Sequence, residues 1–136
     1  MSSVSIQAVS RTFEGRKGQR TQALLPVDFE VRDNDFVTIL GPSGCGKSTL
    51  LRIVAGLDHA TSGRVLLDGV PVEGPGADRG MVFQSYTLFP WLTIEQNIRF
   101  GLRERGMPEA QQKERAAYFI AKVGLRGFEQ HFPQQL

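Results

Sequence analysis

The stretch FVTILGPSGCGKSTLLRIVAGL, residues 36–57, decides how this chain is read. Phe36–Leu40 is short, rich in β-branched residues and almost wholly apolar, the pattern of a strand covered on both faces. Beyond the glycines, Leu50, Leu51, Ile53, Val54 and Leu57 recur at helical spacing, and Gly56 stands near the stop. Between strand and helix, Gly41, Pro42, Ser43, Gly44, Cys45, Gly46, Lys47 and Ser48 satisfy G-x-x-x-x-G-K-[ST], a phosphate-binding loop. Backbone N–H groups converge on a phosphate only where the chain curves through φ > 0, which glycine adopts cheaply. The following helix adds the positive end of its dipole. Lys47 can reach β- and γ-phosphates as a mobile point charge. Ser48 offers a hydroxyl to Mg²⁺, and Thr49 a further phosphate contact. The bland alternative is a glycine-rich strand-to-helix turn, which the apolar strand before it and the amphipathic helix after it disfavour.

Toward the N-terminus, Val4–Val9 alternates (Val4, Ile6, Ala8), as does Leu24–Val31 (Leu25, Val27, Phe29, Val31), so both read as half-buried strands. Residues 14–20, EGRKGQR, read as an exposed turn, and Asp33-Asn34 as a hairpin turn leading into Phe36–Leu40. Toward the C-terminus, Asp68-Gly69 between two short apolar runs is a hairpin signal. Residues 74–80 read as loop and Met81–Phe83 as another strand. Thr93 and Gln96 have capping-box spacing at the start of a helix. A last helix is expected from Pro108, with an apolar stripe of Ala116, Phe119, Ile120 and Val123 and a C-cap at Gly124.

The 136 residues suit one ordinary domain. With 16 basic and 14 acidic residues the net charge is +2, too balanced to argue for nucleic acid, so no nucleic-acid partner is expected. A single cysteine excludes an internal disulfide and suits a reducing compartment. No secretion signal and no membrane-spanning run is evident, so a cytoplasmic location is expected.

The remaining candidates are weaker. Cys45 reads as a small filler within the loop or as a reactive thiol near a helix start. His59 and His131 have no partner at metal or catalytic spacing. RVLLDG, residues 64–69, imitates an apolar strand ending in a metal-binding Asp, but a D-G hairpin makes an antiparallel neighbour instead. No other apolar run ends in Asp-Glu, and no N-K-x-D guanine reader is present.

Three blocks in order, GPSGCGKSTLLRIVAGL, SGRVLLDGVPV and GMVFQSYTLFPWLTIEQNI, resemble the nucleotide-binding subunit of ABC transporters, and the match runs from about Val4 to Leu136. PGADRGMVFQ followed by LFPWLT most resembles importers for nitrate, sulfonates or taurine. The resemblance implies an α/β fold, a P-loop NTPase with an incomplete RecA-like core, an antiparallel β subdomain and part of a helical subdomain. It divides the chain into 1–83, the nucleotide-binding core, and 84–136, the Q-loop and partial helical region. It implies ATP and Mg²⁺ as cofactors, with Phe13 stacking on adenine and Gly41 to Thr49 on the phosphates. Lys47 and Gln84 would be catalytic, with Ser48 and Gln84 reaching the metal. Residues 85–100, including Leu88, Phe89, Pro90 and Trp91, would receive a permease, and a second nucleotide-binding subunit would complete a homodimer on the inner face of the cell membrane. A segment like FPQQL runs straight into the S-G-G-Q signature in this family, so Leu136 would be its first residue. The signature, the Walker B Asp, the catalytic Glu and the switch His have no counterpart, so the chain is expected to be an N-terminal piece that binds ATP without turnover. Another P-loop enzyme, such as a kinase or GTPase, or a non-catalytic module docking on a permease, are the alternatives.

Overall fold

The computed structural model describes residues 2–15, 18–85 and 87–136. The expected turn at 14–20 lies partly outside the described residues. The chain divides into two compact units, Met1–Val82 and Phe83–Leu136.

The first unit holds β1 (Val4–Glu14), β2 (Arg20–Val31), α1 (Lys47–Val54), β3 (Ser62–Leu67) and β4 (Val70–Pro71). The strands form one antiparallel sheet in the order β2-β1-β3-β4. Its core joins Ile6, Val9, Leu24 and Val65 of the sheet to Leu50 and Ile53 of α1. The helix therefore covers one sheet face with a two-residue apolar stripe.

The simple alternation read for β1 and β2 breaks in the middle of both. Ala8 takes φ 47 in a bulge between Ile6 and Val9, so Val9 rather than Ala8 enters the core. Asp28 Oδ1 accepts from the Ala8 amide at 2.7 Å and stabilises the kink. On β2 a second register shift, between the pairs Val9–Val27 and Arg11–Leu24, accompanies the burial of Leu24 and the exposure of Leu25. An inserted residue reverses which side chains face inward, and period-2 reading cannot see the insertion.

Phe36–Leu40 and Met81–Phe83, expected as strands, are not strands in the structure. Among the described residues no strand forms a ladder with either segment. Phe36 is 96%, Leu40 86% and Val82 97% exposed. Apolarity marks a segment that gains by burial, but a strand exists only where a neighbour supplies the hydrogen bonds. The turn before the first segment does form, with Asn34 at φ 62 and the Asp35 amide donating to the Arg32 carbonyl at 3.1 Å. The Asp68-Gly69 turn joins β3 and β4 with φ of 50 and 80. Asp68 Oδ1 accepts from the Ser3 amide at 2.6 Å, so its carboxylate serves the sheet.

The second unit holds α2 (Ile94–Glu104) and α3 (Glu109–Lys122), followed by a short 3₁₀ turn at Pro133–Gln135. The Thr93–Gln96 capping box is formed at both ends. Pro108 is the cap preceding α3 rather than its first residue. Gly124, at φ 76, ends α3 by donating to the Ala121 carbonyl while Leu125 donates to Ile120. Ala116 and Ile120 are buried as expected, but Phe119 and Val123 are exposed and Gln112 is buried instead. Arg99 explains the exchange. It pairs with Glu95 at 3.1 Å and Glu109 at 3.3 Å, and its Nε donates to Gln112 at 3.4 Å. Gln112 in turn donates to the Met107 carbonyl at 2.6 Å. Hydrogen bonding from Lys113 and its charge, with Arg99 beside them, hold the Glu109 carboxyl below its ordinary value.

Candidate functional site

Residues 41–46 form a loop that runs directly into α1. Gly44 and Gly46 take φ of 81 and 95, and α1 has no side-chain cap. The first-turn amides of Lys47, Ser48 and Thr49 have no intrahelical partner by construction. None of them, nor the amides of Gly44 and Gly46, donates to a carbonyl elsewhere among the described residues. A cluster of unsatisfied N–H groups at the positive end of a helix is an anion site.

Gly46 anchors that cluster to the sheet. A Cβ placed on it would lie 2.5 Å from the Ala23 carbonyl oxygen and 3.0 Å from Leu24 Cδ1. Lys47 folds back over the loop, and its Nζ donates to the Gly41 and Pro42 carbonyls at 2.7 Å each. The same Nζ lies 3.5 Å from Cys45 Sγ. Gly41, Pro42, Ser43, Gly44, Cys45 and Ser48 are exposed, while Gly46, Lys47 and Thr49 are half-buried. The loop therefore keeps its amides open to solvent and holds a cation in reserve.

Phe13 sits near the end of β1 opposite Thr21, two residues before Ala23. It flanks the same stretch of β2 that Gly46 packs against. Phe13 is 42% exposed and borders an open cleft of about 640 Å³ lined by Arg11, Thr12, Glu14, Arg20 and Thr61. Gln84 belongs to the second unit, lies in a bend and is exposed. Among the described residues no cluster of three or more His, Cys, Asp or Glu could hold a metal. A Mg²⁺ site here would rest on the Ser48 hydroxyl, in keeping with the habit of Mg²⁺ of keeping waters and substrate phosphates as ligands.

In the second unit, Leu88 is 50% and Trp91 70% exposed, while Phe89 packs on Phe100 with ring centroids 4.6 Å apart. Asn97, which the sequence reading did not single out, organises this turn. Its Oδ1 accepts from the Phe89 amide at 2.8 Å, and its Nδ2 donates to the carbonyls of Phe89, Leu92 and Thr93 at 3.0–3.1 Å. An asparagine three residues into a helix is the only sequence signal. Asn97→Ala leaves the Phe89 amide and the Leu92 carbonyl without these partners, while the Phe89 and Thr93 carbonyls keep the Leu92 and Asn97 amides, and each buried unmade bond costs about 1–3 kcal/mol. The expected result is a loss of about 2–3 kcal/mol in urea unfolding together with faster hydrogen exchange at Phe89. Unchanged exchange there would show that the turn does not depend on Asn97.

Comparison with known proteins decides the family. A family model described as ABC transporter matches residues 24–136. The chain belongs to the ABC transporter family. Within it, the nitrate import ATP-binding protein NrtD of a Synechocystis species is 45% identical over 98% of this chain and 50% of its own length. The taurine import ATP-binding protein TauB of Burkholderia pseudomallei is 49% identical over 96% of this chain and 50% of its own. The chain spans about half the length of the curated relatives it matches. A solved dimeric structure of the ATP-binding cassette MJ0796 in a post-hydrolysis state, bound to ADP and Pi, superposes with a TM-score of 0.85 at 31% identity, covering 98% of this chain and 62% of that one. The fold is thus that of ABC ATPase cassettes, mixed α/β with an antiparallel sheet, present here in part. No helix among the described residues is long and apolar enough to cross a membrane.

Proposed function

We propose that this ABC-family chain is the nucleotide-binding portion of an ATP-binding subunit that energises an importer for a small anion such as nitrate, a sulfonate or taurine. The observation that carries the reading is the loop at 41–49: among the described residues the amides of Gly44 and of Gly46 to Thr49 find no carbonyl, and its lysine rests on two of the loop's own carbonyls. The triphosphate would lie on the amides from Gly44 to Thr49, with Gly41, Pro42, Ser43 and Cys45 shaping the loop. Lys47 would exchange the Gly41 and Pro42 carbonyls for the β- and γ-phosphates. Ser48 would hold Mg²⁺, whose charge offsets that of the phosphates, and Gln84 would serve the metal or orient the attacking water. Positioning and electrostatics do most of the work in such phosphoryl transfer.

The solute class rests on the names of the relatives NrtD and TauB. Dimerisation with a second nucleotide-binding subunit is supported by the dimeric cassette that the chain resembles. The apolar turn with Leu88, Phe89, Pro90 and Trp91 would receive the permease, which puts the chain on the inner face of the cell membrane. Because no apolar run in the sequence ends in Asp-Glu, these 136 residues are expected to bind ATP without steady turnover.

Calorimetry with Mg-ATP tests the reading. The chain is expected to bind, and Phe13→Ala to weaken binding about 5- to 150-fold, since base stacking on an aromatic ring contributes about 1–3 kcal/mol. A folded sample that ignores millimolar Mg-ATP overturns the proposal. Steady phosphate release that Lys47→Ala abolishes overturns the expectation of binding without turnover alone.

A further inference from the structure

Arg11 stands two residues before Phe13 on β1, on the same strand face. Its guanidinium carbon lies 4.6 Å from the centre of the Phe13 ring. Its Nη2 meets Asp58 Oδ1 at 2.8 Å, with the two side chains only 23% and 17% exposed. Asp58 lies just past the C-terminal end of α1, the helix that begins at Lys47. Arg11 pairs across the sheet with Leu24, the residue that abuts Gly46. Its side chain thus touches the aromatic ring and the segment after α1, while its backbone pairs with the strand position that supports the phosphate loop.

Among the described residues, the buried Arg11 Nε has no acceptor. The ion pair with Asp58 and the contact with the Phe13 ring hold the guanidinium in this pose although that one donor goes unmade. We propose that Arg11 is a positioning residue for the base: held by Asp58, its guanidinium closes one face of the Phe13 ring and leaves the opposite face as the single platform for a nucleotide's purine. The inference rests on reading Phe13 as the base platform and adds what fixes that platform. A guanidinium stacked on a ring is attracted by its quadrupole and limits the ring's rotation. A ring restrained on one side loses less freedom when a purine covers the other. Arg11 itself touches no phosphate in this arrangement, so its effect belongs to the base and not to the triphosphate.

That distinction supplies the test. Binding of ATP and of inorganic tripolyphosphate, which has no base, is measured by calorimetry for the wild-type chain, Arg11→Gln, Phe13→Ala and the double variant. Arg11→Gln is expected to weaken ATP roughly three- to tenfold and to leave tripolyphosphate unchanged. Adding it to Phe13→Ala is expected to cause no further loss, because the platform is already gone. Asp58→Asn keeps the guanidinium and removes its anchor. It gives the same pattern at smaller amplitude, and is read whether or not Arg11→Gln folds. Equal weakening of ATP and tripolyphosphate, or additive losses in the double variant, overturns the inference. ATP binding that senses Phe13 but neither Arg11 nor Asp58 overturns it as well and leaves the platform intact. If Phe13→Ala binds ATP like wild type, the base-platform reading itself fails and carries this inference with it.

Discussion

Gly46→Ala is expected to destabilise the first unit by about 2–5 kcal/mol and to remove nucleotide binding with it. Two effects add. Gly46 sits at φ 95, a left-handed conformation that costs an L-residue about 1–2 kcal/mol. The new methyl group also lands 2.5 Å from the Ala23 carbonyl oxygen and 3.0 Å from Leu24 Cδ1, where nothing can give way cheaply. The first is backbone of β2 and the second belongs to a core side chain only 6% exposed. Overpacking of this kind costs about 1–3 kcal/mol. Gly44→Ala is the informative control. It carries a comparable φ of 81, but a Cβ there meets nothing within 4 Å. It isolates the conformational part and is expected to cost about 1–2 kcal/mol. Urea unfolding of both variants separates strain from clash. Equal losses at the two positions would show that the contact with β2 contributes nothing.

The parts of the fold that were legible in sequence are those governed by neighbours within a few residues. The glycine loop and helix at 41–57, the Asp68-Gly69 turn, the Thr93–Gln96 cap and the Gly124 stop each follow from local chemistry. What could not be read depends on partners far along the chain. The bulge at Ala8 is braced by the Asp28 carboxylate and puts Val9 rather than Ala8 in the core, and a second register shift does the same for Leu24 over Leu25. The burial of Gln112 needs Arg99 from the preceding helix and the Met107 carbonyl. The reading of Phe36–Leu40 correctly registered apolar character but supplied a ladder that no described strand provides. The candidate site divides the same way. Its phosphate loop is a contiguous pattern, whereas the pair Arg11–Asp58 beside Phe13 brings together β1 and the segment after α1, and no spacing rule announces it.

Lys47→Ala is expected to weaken Mg-ATP binding about 10- to 150-fold while barely moving the thermal midpoint. The binding loss follows from removing a charged hydrogen bond to phosphate, which contributes about 1.5–3 kcal/mol. The small stability effect follows from where the ammonium now rests. Its acceptors are the Gly41 and Pro42 carbonyls at 2.7 Å, both on exposed loop residues that water can satisfy when the lysine is gone. A cation at the first position of α1 also opposes the helix dipole, so its removal returns a little stability. Lys47→Arg is expected to bind ATP poorly too. Its planar fork cannot occupy the compact position between two carbonyls that a tetrahedral ammonium fills. Calorimetry with Mg-ATP and thermal unfolding of the same samples give the two readouts. A variant that keeps wild-type affinity removes Lys47 from the phosphate site. One that loses binding only because it unfolds makes the lysine a brace for the loop, with the anion left to the backbone amides alone.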